Sequence, residues 1–193
     1  MPALRARSPH ADVDVASTTT ERIVDPVARA GLGVISSTGL RDVGVGDDRR
    51  EQALRRGGLV AVHRGVYRPA GVSLSAEGEL RALCLACGAG AVASHRSALW
   101  LWGLLDEPDV HEVTVPLQRR STVPGVVVHR SGDLSDHYRF VRRSVPSTTP
   151  DRALLDGAAA ATTDELARAV EQALIDQLLS VATLRTILDD LGG

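Results

Sequence analysis

The run Arg49-Arg50-Glu51-Gln52-Ala53-Leu54-Arg55-Arg56 carries the densest set of groups able to read a polar partner. Guanidinium forks and a carboxamide on a short helix are what a DNA groove requires. Arg is bidentate to guanine O6 and N7, and Gln to adenine N6 and N7, each worth about 1–3 kcal/mol of discrimination. Ala53 and Leu54 are the apolar pair that would pin such a helix to its domain. With those two inward, Arg49, Gln52 and Arg56 are expected on or near the opposite face, with Arg50 and Arg55 flanking it. His63 and Arg64, at the tip of a following hairpin, are suited to an adjacent minor groove or phosphate. Ser37 and Thr38, at an earlier helix start, offer hydroxyl and backbone donors to phosphate. The same run also fits a solvated, arginine-rich amphipathic helix, and the order of the elements around it favours nucleic acid.

Those elements read as follows. Residues 1–17 form a polar, proline-containing tail without hydrophobic period, expected to be disordered. Residues 18–72 read as a winged helix-turn-helix. A short helix carries Ile23, Val24, Val27 and Ala28 and ends at Gly31. Pro26 suits only a first turn, so Asp25 caps a helix starting at Pro26 or the helix kinks there. Val34-Ile35 follows as a short strand, and Ser37 or Thr38 caps a second helix ending at Gly44. Asp48 and Glu51, spaced like a capping box, would open a third helix over 49–56. Leu59–Val62 and Val66–Arg68 then form a hairpin turning at Arg64-Gly65.

Residues 73–193 read as a second, mixed α/β domain with a small, mainly antiparallel sheet and C-terminal helices, making the whole chain α+β. Ser75 caps a helix whose Leu80, Leu83, Cys84 and Cys87 follow i, i+3, i+4, i+7 spacing. A Gly-rich break leads to a helix from His95 to Trp102, where the neighbouring Trp100 and Trp102 mark a packing centre. Strands are expected at Val110–Val115, Val126–His129 and around Phe140–Val145. Three helices close the chain: one with Thr149 ahead of Pro150, one opened by Thr162-x-x-Glu165, and one after Ser180 bearing Leu184, Ile187, Leu188 and Leu191. The second should bury Leu166, Ala169, Val170, Ala173, Leu174 and Leu178.

The formal net charge of −2 conceals a segregation. Residues 48–68 hold six Arg against two acids, whereas 151–193 hold three Arg against eight acids, so the two ends should face different partners. All 22 basic residues are Arg, so every cationic contact is made by a guanidinium. A second basic stretch, with Arg119, Arg120, Arg130, Arg139, Arg142 and Arg143, would extend a DNA footprint or simply be solvated strand edge. Cys84 and Cys87 have CxxC spacing but no second pair, and both lie on an apolar stripe, so they are expected as core thiols. His95 sits beside Ser94 with Asp106, His111 and Glu112 near in sequence, but no HExxH, GxSxG or P-loop motif occurs. A cap or internal hydrogen bond is the better reading of His95, so no catalytic residue, metal or cofactor is expected. No apolar run approaches the roughly 18 residues of a membrane span, and the start lacks a signal peptide's apolar core. A cytoplasmic protein is expected.

Several blocks resemble the AbiEi-type antitoxins of type IV toxin–antitoxin systems. RRGGLVAVHRGVYR (55–68) resembles the end of their winged-helix domain. GAGAVASHRSALWLWGL (88–104), VTVP (113–116), GVVVHRS (125–131) and VPSTTPDRALLD (145–156) resemble successive blocks of their second domain. The resemblance implies an autorepressor that binds repeats in its own promoter, with a second domain that helps neutralise a nucleotidyltransferase-like toxin. It makes Arg49, Arg50, Gln52, Arg55, Arg56 and Arg64 candidates for contact with double-stranded DNA at an inverted repeat. Many relatives continue into a restriction-endonuclease-like domain for which this sequence has no room, so no nuclease activity is expected. The rivals are a winged helix that binds protein instead of DNA, and a nuclease-related enzyme using His95 and nearby acids.

Overall fold

The structure is a computed structural model that describes residues 22, 24–159, 161–183 and 185–186. The chain divides into two compact units, Met1–Leu74 and Ser75–Gly193. The expected tail, Ile23 and the apolar positions of the last helix (Leu184, Ile187, Leu188, Leu191) lie outside the described residues.

In the first unit a helix, α1, covers residues 24–30. It is followed by β1 (Ile35–Ser36), α2 (Ser37–Asp42), α3 (Asp47–Arg55), β2 (Leu59–His63) and β3 (Val66–Pro69). The strands form an antiparallel sheet in the order β1-β3-β2. Helix, strand, two helices and a hairpin closing onto the first strand are the winged helix-turn-helix arrangement that the sequence implied. Its core is aliphatic: Val24, Ala28, Ile35, Leu40, Val45, Ala53 and Leu59, with Tyr67 as the one aromatic member.

Three local details differ from expectation. Val24 and Asp25 are already helical, so Asp25 is not the cap of a helix starting at Pro26. The cap of α2 is Ser36 rather than Ser37 or Thr38: Ser36 keeps the extended conformation of β1, and its Oγ accepts from Gly39 N–H at 3.0 Å. Helix α3 begins at Asp47 behind Gly46, with no side-chain cap, so Asp48 and Glu51 form no capping box. The cause is the turn between α2 and α3. Gly44 adopts φ +81°, which a side chain would resist, and Val45 is fully buried, so the chain re-enters helix early. Asp47 and Asp48 then sit in the first turn, where the helix dipole favours negative charge.

The second unit runs α4 (Ala76–Cys87), β4 (Val92–Ala93), α5 (His95–Trp102), β5 (His111–Pro116), β6 (Val126–Ser131), a 3-10 turn (Asp136–Tyr138), β7 (Arg139–Arg142), β8 (Val145–Thr148), α6 (Pro150–Gly157) and α7 (Thr163–Ile175). The sheet order is β6-β5-β4-β8-β7. It is mixed: β4–β5 and β7–β8 are antiparallel, while β5–β6 and β4–β8 are parallel. The connection 117–125 is long enough for the chain to return along β5 and start β6 in the same direction. The single strand expected around Phe140–Val145 is a hairpin. Its turn, Arg143-Ser144, has φ +47° and +62° at both positions, a geometry that Asn-Gly usually announces and Arg-Ser conceals.

The helical caps fall where local chemistry put them. Ser75 Oγ accepts from Gly78 N–H, Thr149 precedes Pro150 at N1, and Thr162 and Glu165 form a full capping box. Ala169 and Ala173 of α7 are buried in a core with Leu99, Trp102, Leu104, Ala153 and Leu154, and Leu166, Val170, Leu174 and Leu178 pack against it. Cys84 and Cys87 are free and buried. Burial, aided by the neighbouring Cys87, pushes the Cys84 thiol up to about 12, so it is a poor nucleophile and a poor metal ligand.

Glu165 also accepts a bidentate fork from Arg96 at 3.1 and 2.9 Å. Arg96, followed by the Thr162 backbone and hydroxyl donors, holds the Glu165 carboxyl at about 2, against an ordinary 4.5. A carboxylate whose folded pKa is depressed stabilises the fold above its unfolded pKa and loses that contribution as pH falls through the folded one. Glu165→Gln should therefore melt at lower temperature than the native chain at neutral pH. The gap should narrow between pH 4.5 and about 2, as followed by near-ultraviolet circular dichroism against pH.

Candidate functional site

Helix α3 turns about 100° per residue, so the two apolar side chains that touch the core fix which arginines face out. Ala53 is buried and Leu54 packs against the same core. Arg50 stands three residues before Ala53 and four before Leu54, and therefore faces inward rather than flanking the outer face. Its side chain is only 18% exposed and pairs with Asp47. Its guanidinium carbon lies 5.8 Å over the Tyr67 ring, and its Nε is buried without a hydrogen-bond partner.

The remaining candidates distribute differently. Arg49, Arg55 and Arg56 are exposed, Arg56 as the C-cap of the helix, and Gln52 is half-buried. Arg55 reaches Glu51 at 3.7 Å, but both side chains are more than half exposed, a geometry worth little in water. The hairpin turns at Arg64-Gly65 as expected, with Gly65 at φ +76°. Arg64 is exposed, His63 half-buried and Thr38 exposed. Ser37 is engaged within the unit: its N–H and its Oγ both donate to Gly65 O, at 2.8 and 3.3 Å. It holds the hairpin against α2, so its hydroxyl is committed there. The outward set on α3 and the hairpin is thus Arg49, Gln52, Arg55, Arg56 and Arg64.

In the second basic stretch, Arg139 donates to Leu134 O at 3.0 Å, Arg142 stacks over Trp102 at 4.8 Å, and Arg143 reaches Glu77 at 3.4 Å. Arg120 and Arg130 line a shallow cleft of about 300 Å³ with Ser121 and Val128. Half of that stretch therefore has internal structural employment.

A different cluster emerges in the second unit. Glu112 stands in β5 and is buried, with only 8% of the residue exposed. Its Oε2 accepts from His129 Nε2 at 2.7 Å, and its Oε1 accepts from Arg96 N–H at 3.3 Å. The His95 ring stacks on His129 with centroids 3.7 Å apart and planes 16° apart. His95 Nδ1 lies 3.0 Å from Ser94 Oγ, which in turn accepts from the buried Thr114 hydroxyl at 2.7 Å. His95 itself has φ +50° at the first position of α5, a strained state for a residue with a side chain. Desolvation holds its imidazolium below the ordinary histidine range and His129 adds to this, while the Asp156 and Glu112 carboxylates oppose it. Asp156 binds Arg152 through Oδ1 at 2.7 Å, whereas its Oδ2 is buried without a hydrogen-bond partner.

Sequence spacing missed this assembly because its members are separated by 17 residues or more along the strands and helix. The available signal was Glu112 itself, a carboxylate inside an apolar strand run that must find partners. His111, near His95 in sequence, instead shares a hydrogen bond of 3.2 Å with Ser97 Oγ. No helix among the described residues is long and apolar enough to cross a membrane.

Compared with protein-family models and with curated proteins, the chain finds no match. Among solved structures it is distantly similar to a crystal structure of the RV2827C protein from Mycobacterium tuberculosis. The two are 20% identical at a TM-score of 0.46, over 89% of this chain and 81% of that one.

The placement of Arg50 separates it from Arg49. Arg50→Ala removes a cation–π contact and a packed aliphatic stem, and should lower stability in urea unfolding by about 1 kcal/mol. Arg49→Ala, at an exposed site, should stay within about 0.5 kcal/mol. Equal effects of the two substitutions would contradict the inward orientation of Arg50.

Proposed function

We propose that the first unit binds double-stranded DNA, with α3 in the major groove and the hairpin tip beside it, and that the chain acts as a transcriptional autorepressor. The observation that carries this reading is the rotation of α3, which turns Ala53 and Leu54 into the core and leaves Arg49 and Arg55 in solvent beside Gln52, with Arg64 exposed on the hairpin. In helix-turn-helix docking the second helix of the motif meets base edges through its N-terminal half. Arg49 occupies that half and Gln52 follows just past the midpoint, whereas Arg55, Arg56 and Arg64 are suited to phosphate. Two copies on an inverted repeat in the chain's own promoter would double the contact set.

The sequence resemblance to AbiEi-type antitoxins extends the proposal: the autorepressor would be the antitoxin of a pair whose toxin is nucleotidyltransferase-like. The activity so proposed is binding, not catalysis. The acidic balance of residues 151–193 supports a protein-facing rather than DNA-facing role for that end.

A mobility-shift titration on the chain's own upstream DNA tests the reading. Specific binding should weaken steeply with salt, because each neutralised phosphate releases counterions. Arg55→Ala and Arg64→Ala should each weaken all sequences alike and reduce the salt slope by about 1, while Gln52→Ala should cost about 1–3 kcal/mol on the operator alone. Equal affinity for unrelated DNA would reject specific repression, and no binding at low salt would reject DNA as the partner and favour a protein-binding winged helix. In co-expression, the Arg49, Gln52 and Arg55 alanine variants should lose repression and still protect against the toxin.

A further inference from the structure

We propose that His95, Glu112 and His129 form a binding site for a divalent first-row transition-metal ion, with zinc as the natural probe. One ligand atom from each of the three lies within 4.8 Å of the others. The residues come from the start of α5, from β5 and from β6, so the site is built by the sheet and the helix packed on it, not by a flexible loop. The inference is independent of the DNA-binding reading.

The donor set decides the class of ion. Two imidazole nitrogens and one carboxylate oxygen suit zinc and its neighbours, whereas calcium and magnesium prefer all-oxygen shells. Three protein ligands leave at least one coordination position for water. Tetrahedral zinc holds two nitrogens about 3.3 Å apart, and the two rings are stacked with centroids 3.7 Å apart. The stacked rings aim their in-plane lone pairs side by side, so both imidazoles must rotate, with release of the His129–Glu112 hydrogen bond, to bring their nitrogens onto a common ion.

The surroundings support the same assignment. Ser94 Oγ lies 3.0 Å from His95 Nδ1, on the ring nitrogen that a metal-bound histidine uses for its orienting partner. Thr114 and the Arg96 backbone N–H fix Ser94 and Glu112 in turn. The positive φ of His95 places its ring over His129 at a conformational cost that a helix start does not otherwise require. Asp156 is close enough for its charge to act on His95, and its Oδ2 is buried with no donor.

Zinc titration of the full chain by calorimetry, with melting temperature followed alongside, tests the proposal. The native chain should bind about one equivalent and melt higher as free zinc rises, since a ligand of the folded state stabilises it by mass action. The near-isosteric Glu112→Gln and His129→Gln should each weaken binding by more than about tenfold, and Ser94→Ala by about tenfold as loss of an orienting partner. A Cys84→Ser/Cys87→Ser double variant should bind as the native chain does. Absence of heat and of any thermal shift in the native chain would overturn the site without reference to any variant. So would binding that survives Glu112→Gln and His129→Gln, or that vanishes only with the cysteines.

Discussion

A single alanine and its neighbouring leucine set the orientation of helix α3 and of the three arginines it carries. Helix α3 spans nine residues, with only Ala53 buried along it and Leu54 packed beside it. Such a short apolar contact contributes little burial energy compared with a whole domain core. Its consequence is angular: rotating α3 by one position would bury a different arginine and expose another. The Arg50 stem fills the space beside Tyr67 and so reinforces the same rotation. The turn before α3 acts in the same sense, since buried Val45 fixes where the helix starts and Gly44 supplies the backbone conformation needed to get there.

Much of this was legible in the sequence, and the parts that were not share a physical character. Caps and turns at Ser75, Thr149-Pro150, Thr162-x-x-Glu165 and Arg64-Gly65 were readable because each depends on local chemistry: a side-chain bond to nearby backbone at Ser75 and Thr162, the fixed φ of proline at Pro150, and the positive φ open to Gly65. The inward path of Arg50 is also present in its spacing from Ala53 and Leu54, but its charge argued for solvent and concealed the geometry. A long arginine reconciles the two by covering apolar surface with its stem while its head finds Asp47 and an aromatic face. The shift of the α2 cap from Ser37 or Thr38 to Ser36 is of another kind. Three candidate hydroxyls stand in a row, and the one that caps is the one that ends β1, a choice made by pairing with β3.

Long-range constraint governs the second unit more strongly. Glu112 occupies a strand flanked on both sides, between β4 and β6, where an unpaired carboxylate would be costly. Its partners arrive from three directions: the His129 ring across the parallel β5–β6 pairing, the backbone of Arg96 at the start of α5, and the hydroxyl of Ser97 on the Glu112 N–H. The parallel register that sets Thr114 opposite His129 is therefore tied to the same group that anchors α5. Neither a period of two nor a period of 3.6 encodes such a meeting. The mixed character of the sheet was unreadable for a similar reason, since the direction of β6 depends on the return of the 117–125 connection.

The two units thus use charge in opposite ways, and this bears on what each can do. On α3 the guanidinium groups of Arg49 and Arg55 remain largely in water. Their interactions there are weak and salt-screened, and they keep their full strength for a partner that displaces that water. In the second unit the Glu112 carboxylate is already withdrawn from solvent, with the half-buried His95 and His129 gathered beside it. The first arrangement suits an extended, exchangeable polyanion, while the second suits a small ion held by a few fixed atoms.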